Sequence, residues 1–193
     1  IGVDALRLHL ESIRPAAFVS YAAAKWREAL KERQQTLEIT GIEQLPALEG
    51  DQERLIQVFS NLINNAIKFT PDGGSILLSA ERINGSGLKA ALGSNAVSQE
   101  NHNRKGDFIK IAVADSGIGL EKNDLDRIFN PFEQVIRHDP SKGTGLGLTI
   151  TRQYIELMGG EITVTSKSGK GSVFRFEIPV QVVSVEEIEQ AQP

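Results

Sequence analysis

The 193-residue chain contains no cysteine. That absence excludes thiolate catalysis, iron–sulfur clusters, cysteine-ligated zinc and the disulfide framework of small secreted domains. Histidine is scarce: His9, His102 and His138 lie far apart, which argues against a polyhistidine metal site. No apolar run approaches the roughly 18 residues a membrane span requires, and Ile1-Gly2-Val3-Asp4 does not open a secretory signal. Charge of one sign is missing too. Lys and Arg number 21 against 25 Asp and Glu, a net charge of −4, so there is no broad basic surface for nucleic acid or anionic lipid. A phosphate-bearing ligand would have to be held locally. These absences describe a soluble, cytoplasmic chain with no nucleic-acid partner and no direct membrane insertion. Its start at Ile1 rather than Met reads as a piece of something longer, whose other segments are free to hold an anchor.

What is present suffices for one ordered core: hydrophobic residues make up 40% and glycine adds 18 positions. At about one domain per 150 residues, a single domain over residues 1–183 is expected, with the acidic, Gln-rich 184–193 as a tail or linker. Leu6, Leu8 and Leu10 alternate like a short strand before Pro15. Ala16 to about Gln34 repeats Phe18, Ala22, Trp26, Ala29 and Leu30 at helical spacing. Strand ends are expected at Thr36 to Thr40 and Pro46 to Leu48, around a turn at Gly41. Asp51 caps a long helix to about Lys68. Strands follow at Ser75 to Ala80 and Phe108 to Ala114, separated by 84–106, which has no periodicity and reads as a flexible insertion. Residues 121–146 mix short apolar clusters with Pro131, Pro140 and glycines and read as a lid. Leu146 to Met158 is a helix, and Glu161 to Ser166 with Ser172 to Pro179 form a hairpin.

Three places concentrate chemistry. On the long helix, Arg54, Gln57, Asn61, Asn64, Asn65 and Lys68 share a sector of about 100° opposite Leu55, Val58, Phe59, Leu62, Ile63, Ala66 and Phe69. A solvated helix face would explain the sector alone. Its lack of Asp and Glu after Glu53 and its three poorly helix-forming asparagines point instead to an acidic ligand. A carboxamide oxygen ligates Mg²⁺ while its amino group donates to phosphate. By strand parity Ile109, Ile111, Val113 and Asp115 share a face, so a carboxylate points toward the core and needs a donor. The amino group of adenine would serve, and capping of the turn is the plain alternative. Gly117 and Gly119 permit close backbone approach. Lys142-Gly143-Thr144-Gly145-Leu146-Gly147-Leu148 opens into a helix whose amides suit phosphate. No strand leads into it, so it is not a dinucleotide fingerprint, and the chain has no GxxxxGK[ST] loop.

Together these residues resemble the ATP-binding catalytic domain of sensor histidine kinases, within the gyrase, chaperone, kinase and mismatch-repair ATPase superfamily. Asp51-x-x-Arg54-Leu55-x-Gln57-Val58 with Asn61-Leu62-Ile63-Asn64-Asn65-Ala66-Ile67-Lys68-Phe69-Thr70 is similar to its N box, and Asp115-x-Gly117-x-Gly119 to its G1 box. Phe129-x-x-Phe132-Glu133-Gln134 is similar to the F box and Gly143-Thr144-Gly145-Leu146-Gly147-Leu148 to the G2 box. The resemblance implies an α/β fold, a two-layer sandwich of a mixed, mostly antiparallel sheet with helices on one face (the Bergerat ATP-binding fold). It implies that Asn65 ligates Mg²⁺, that Asn61 and Lys68 lie near the phosphates in catalytic positions, and that Phe69 packs by base and sugar. Asp115 would accept from adenine, with Gly117 and Gly119 beside it. Phe129, Phe132 and residues 135–146, the ATP lid, would close the site, and Lys142 with Gly143 to Leu148 would hold the triphosphate. Arg137 and Lys142 are charges within reach of the γ-phosphate by lid proximity.

Hydrolytic members resembling gyrase or the heat-shock chaperones carry a glutamate four residues before the metal asparagine. Here that residue is Asn61, and an amide is no general base at neutral pH, so fast ATP hydrolysis is not expected. Family acceptor helices carry a histidine followed by an acidic residue. His9-Leu10 and His102-Asn103 do not match, and His138-Asp139 sits in the lid. The resemblance therefore implies transfer to a histidine on a dimerisation domain outside this sequence, then to a response regulator receiver domain, by a monomeric fragment. A nucleotide-gated regulatory module and a serine kinase sharing these boxes are the other readings.

Overall fold

The computed structural model describes residues 8–84, 106–133 and 145–180. The order is β1 (Glu11–Ile13), α1 (Pro15–Glu32), β2 (Thr36–Thr40), β3 (Leu48–Gly50), α2 (Gln52–Phe69), β4 (Ser75–Asn84), β5 (Asp107–Asp115), α3 (Gly147–Leu157), β6 (Glu161–Lys167) and β7 (Gly171–Pro179). Single 3₁₀ turns lie at Ile42–Gln44 and Lys122–Asp124. Among the described residues no helix is long and apolar enough to cross a membrane.

Five strands form the main sheet in the order β2-β4-β5-β7-β6. Only β2 and β4 run parallel, and the long helix α2 lies within the connection between them. The other pairs are antiparallel, β4 with β5 from Ile76↔Asp115 to Asn84↔Asp107, and β5 with β7 from Asp115↔Ser172 to Phe108↔Pro179. Alternation puts Ile76, Leu78, Ile109, Ile111, Val113, Phe174, Phe176 and Ile178 on one face, all buried. The helices cover that face with Val19, Trp26, Leu30, Val58, Phe59, Leu62, Ile63, Ile155 and Met158. Phe59 of α2 meets Phe176 of β7 edge-on, with ring centroids 5.6 Å apart. The resulting α/β sandwich has a mixed, mostly antiparallel sheet with helices on one face.

Helix α2 follows from local chemistry at both ends. The Asp51 carboxylate caps its start by accepting from Arg54 N at 3.1 Å, and its second oxygen accepts from His9 N at 2.9 Å. At the far end the side chains of Arg33 and Gln35 supply donors that the last carbonyls lack. Gln35 Nε2 donates to Ile67 O at 3.0 Å and to Thr70 O at 2.7 Å, and Arg33 Nη1 donates to Ile67 O and to Lys68 O. Pro71 then stops the helix.

Several sequence expectations shift in position. The first strand is Glu11–Ile13 rather than the Leu6, Leu8, Leu10 alternation, because β1 pairs with β3 and buries Ile13 against Leu48, leaving Leu10 exposed. Leu6 lies outside the described residues, as do the side chains of Phe18 and Ala22. β3 begins at Leu48, where the strand before the long helix was expected to end. β4 runs past Ala80 to Asn84 because β5 pairs with it along that length, so the expected insertion begins after the strand rather than at 84. Residues 85–105 are outside the described residues. Of the stretch 121–146, Ile128 and Phe129 belong to the core, so its first part is packed scaffold, and 134–144 fall outside the described residues.

Candidate nucleotide site

Asn61, Asn65 and Lys68 sit along one side of α2, half-buried, and Phe69 ends the helix, also half-buried. Asn61 bridges to α3: its Nδ2 donates to Gly147 O at 3.0 Å and to Thr151 Oγ1 at 3.2 Å. The start of the glycine-preceded helix is thereby tied to the asparagine stripe. One turn on, the Asn65 carboxamide has no hydrogen-bond partner among the described residues. Lys68 Nζ stands 5.5 Å from the centre of the Phe69 ring, close enough for cation–π attraction. Arg54 donates to Tyr154 Oη at 2.7 Å and also lies over its ring, a second link from α2 to α3.

Asp115 lies on the helix-covered face, opposite Ile76 on one side and Ser172 on the other. One carboxylate oxygen, Oδ1, accepts from Gly117 N at 2.9 Å and from Ser172 N at 3.3 Å. Oδ2 has no protein donor among the described residues. Burial raises the carboxyl above the ordinary aspartate value, and the two backbone N–H groups pull partly the other way. The turn after Asp115 is held against α2 by Ile118 N donating to Phe69 O at 3.1 Å. A side chain at Gly117 would place Cβ 2.6 Å from both Asp115 Oδ1 and Phe69 O, so the close approach that this glycine permits is to the chain itself.

The remaining predicted site residues are spread more widely. At Gly119, Cβ would lie 2.1 Å from Lys167 O, so this glycine too approaches protein backbone. Phe129 is only 5% exposed, its ring 4.0 Å beneath the Arg152 guanidinium and its carbonyl accepting from Thr149 Oγ1 at 3.0 Å. Phe132 is 74% exposed, and its N–H donates to Gly145 O at 3.2 Å. Gly145, Leu146, Gly147 and Leu148 lead into and begin α3, and a Cβ placed at Gly147 would lie 3.6 Å from Asn61 Cγ. Lys142, Gly143 and Thr144 lie outside the described residues, as do Arg137 and His138.

Sequence reasoning passed over Gly171 and Ser172 of β7, which adjoin Asp115, and Ser166 of β6, one strand beyond, which bonds to both of them. Only the strand order brings them there, and no local spacing announces it. Thr151 was equally silent, a fully buried hydroxyl on α3 that meets Asn61.

Residues 50–182 match the family model described as "Histidine kinase-, DNA gyrase B-, and HSP90-like ATPase". Histidine kinase 5 of Arabidopsis thaliana is 35% identical over 185 residues, covering 92% of this chain and 20% of that protein. The adaptive-response sensory kinase SasA of Synechococcus elongatus is 33% identical over 156 residues, 81% of this chain and 34% of that one. The chain thus spans about a third or less of either relative. Among solved structures, full-length ShkA in complex with AMPPNP superposes with a TM-score of 0.69 at 27% identity, over 90% of this chain and 31% of that one. The catalytic domain of histidine kinase ThkA, at 24% identity and a TM-score of 0.66, shares the fold over 90% of this chain and 99% of its own.

Proposed function

The chain belongs to the histidine kinase-, DNA gyrase B- and HSP90-like ATPase family, and on that premise we propose that it is the ATP-binding catalytic domain of a sensor histidine kinase. It would transfer the γ-phosphoryl group to a histidine on a dimerisation domain outside this sequence, and from there to a response regulator receiver domain. It would do so as a monomeric unit in the cytoplasm.

One observation carries the choice of transfer over hydrolysis. Asn61, at the position where hydrolytic relatives carry a base, commits its amino group to Gly147 O and Thr151 Oγ1. An amide has no lone pair basic enough to activate water at neutral pH. A neutral imidazole brings its own lone pair, so the domain need only position the phosphates and neutralise their charge around an in-line transfer. Asn61 and Lys68 would line the phosphates. Lys142 and Gly143 to Leu148 would close over them, with Thr144 and the α3 amides donating. Asp115 would accept from the adenine amino group through Oδ2, with Phe69 against the base.

Asn65 fits the single protein ligand that Mg²⁺ asks for. The cation favours oxygen donors and keeps most of its shell as water and phosphate. A half-buried carboxamide without a hydrogen-bond partner among the described residues meets that requirement, and those residues contain no cluster of His, Cys, Asp or Glu to compete. When bound, Mg²⁺ would offset phosphate charge. Asn65→Ala is expected to lower ATP affinity at least tenfold with Mg²⁺ present, about 1.4 kcal/mol, and to leave Mg²⁺-free affinity unchanged. Calorimetric titration with and without the metal checks this, and equal loss in both conditions would remove Asn65 from the metal role.

The activity itself is tested by joining the domain to a histidine-bearing dimerisation domain of a relative and following labelled γ-phosphate. Acid-labile, base-stable label with slow release of free phosphate is the expected result. Acid-stable label would mean a serine kinase, and nucleotide binding without transfer a regulatory module.

A further inference from the structure

Strand pairing sets Ile76, Asp115, Ser172 and Ser166 in one row across β4, β5, β7 and β6. Directly paired residues share a face, so the row lies on the helix-covered side. Three groups stand within hydrogen-bond reach of Ser166 Oγ: Leu120 N at 2.8 Å, Gly171 O at 2.9 Å and Ser172 Oγ at 2.9 Å. A serine hydroxyl has one proton to give and two lone pairs to receive with. Leu120 N–H only donates and the Gly171 carbonyl only accepts. All three contacts are therefore satisfied together in one arrangement. Ser166 gives its proton to Gly171 O and receives both the Leu120 N–H and the Ser172 hydroxyl proton.

That assignment has a consequence next door. Ser172, 7% exposed and paired with Asp115, has its proton turned toward β6 and keeps lone pairs alone for its other side. Asp115, as a carboxylate, is an acceptor at both oxygens. The row beneath the proposed base position is thus made of acceptors. We infer that Ser166 is a positioning residue that draws the Ser172 proton out of this row, favouring a base with an amino group over one with a carbonyl. The inference rests on the reading of Asp115 as the base acceptor. In Ser166→Ala the Ser172 hydroxyl is released to rotate, and the row gains a donor that a carbonyl base can use.

The test is calorimetry with ATP and with inosine triphosphate, which bears a carbonyl where adenine bears its amino group. In the wild type ATP is expected to bind far more tightly. Ser166→Ala should narrow the ratio of the two dissociation constants roughly tenfold, the scale of one neutral hydrogen bond. Ser166→Thr keeps the hydroxyl and should keep the wild-type ratio. Adding Ser172→Ala to Ser166→Ala removes the freed donor and should restore the ratio. Should Ser166→Ala fail to fold, as judged by melting, Ser166→Cys replaces it with the same expected narrowing. Equal weakening of both ligands would mean a purely structural serine and overturn the inference, as would no change in either. A wild type that binds both triphosphates equally would remove the Asp115 reading itself.

Discussion

Asp115→Asn is expected to lower ATP affinity at least a hundredfold, about 2.7 kcal/mol, while leaving the fold intact or more stable. Oδ1 accepts from Gly117 N and Ser172 N, and Oδ2, which has no donor among the described residues, is the oxygen proposed to accept from the adenine amino group. An asparagine retains an oxygen for the two backbone donors and so turns its amino group to the place of Oδ2. Donor then faces donor where adenine presents its amino group, and a site with a mismatched buried polar group rejects its ligand strongly. Guanine's carbonyl would fit that variant better, so affinity for GTP should fall less or rise. Calorimetry with both nucleotides reads the exchange, and unchanged ATP affinity would sink the assignment.

The same carboxyl makes a prediction about pH. Burial raises its folded value above the unfolded one. Its contribution to stability is therefore full below the ordinary aspartate value and is lost as pH rises through the raised folded value. Wild type minus Asp115→Asn stability should decline across that window and then level off. ATP affinity should run the other way, falling as acid protonates the acceptor. Melting temperatures of both proteins from acid to neutral pH check the first statement, and a flat difference would contradict it.

The second large effect is on the fold. Gly171 opens β7 with φ +92°, and a Cβ there would lie 1.9 Å from Asp115 O and 3.1 Å from Gly117 N. No rotation relieves this, since the obstacle is the backbone of the paired strand. The positive φ adds strain for any side chain. Gly171→Ala should cost about 3 kcal/mol or more, lowering the melting temperature by roughly 6–12 °C for a chain of this size. Gly147→Ala is the contrast. A Cβ there meets Asn61 at an ordinary 3.6 Å, and alanine suits a helix better, so stability should hold or rise. Equal destabilisation by both would show that the close approach at Gly171 is relieved by strand movement.

What the sequence revealed and what it did not separates by range. The cap at Asp51, the apolar stripe of α2, the stop at Pro71 and the parity of β5 act over a few residues, and each could be read directly. The sector from Arg54 to Lys68 likewise needed only the helical repeat. Ser166 and Ser172 needed the register of three strands, and the donors to the α2 carbonyls come from Arg33 and Gln35, some 32 to 35 residues away. The motif places Phe129 at the start of the segment expected to close the site, and tertiary packing sets its ring under Arg152. The expected strand at Leu6 to Leu10 followed a true alternation, but β3 offers its partner edge three residues later.

The row Ile76, Asp115, Ser172 and Ser166 draws on segments up to 96 positions apart, from Ile76 to Ser172. No hairpin or helix contains it, so it exists only when β4, β5, β7 and β6 have all paired. A nucleotide held there would bind the native state and not any partly opened form that has lost β7. By mass action it would then protect every amide that exchanges through global opening, by RT ln(1 + [L]/Kd), while frayed ends would exchange as before. With the nucleotide at the proposed position, recognition of one small molecule and cooperativity of these four strands would be a single equilibrium.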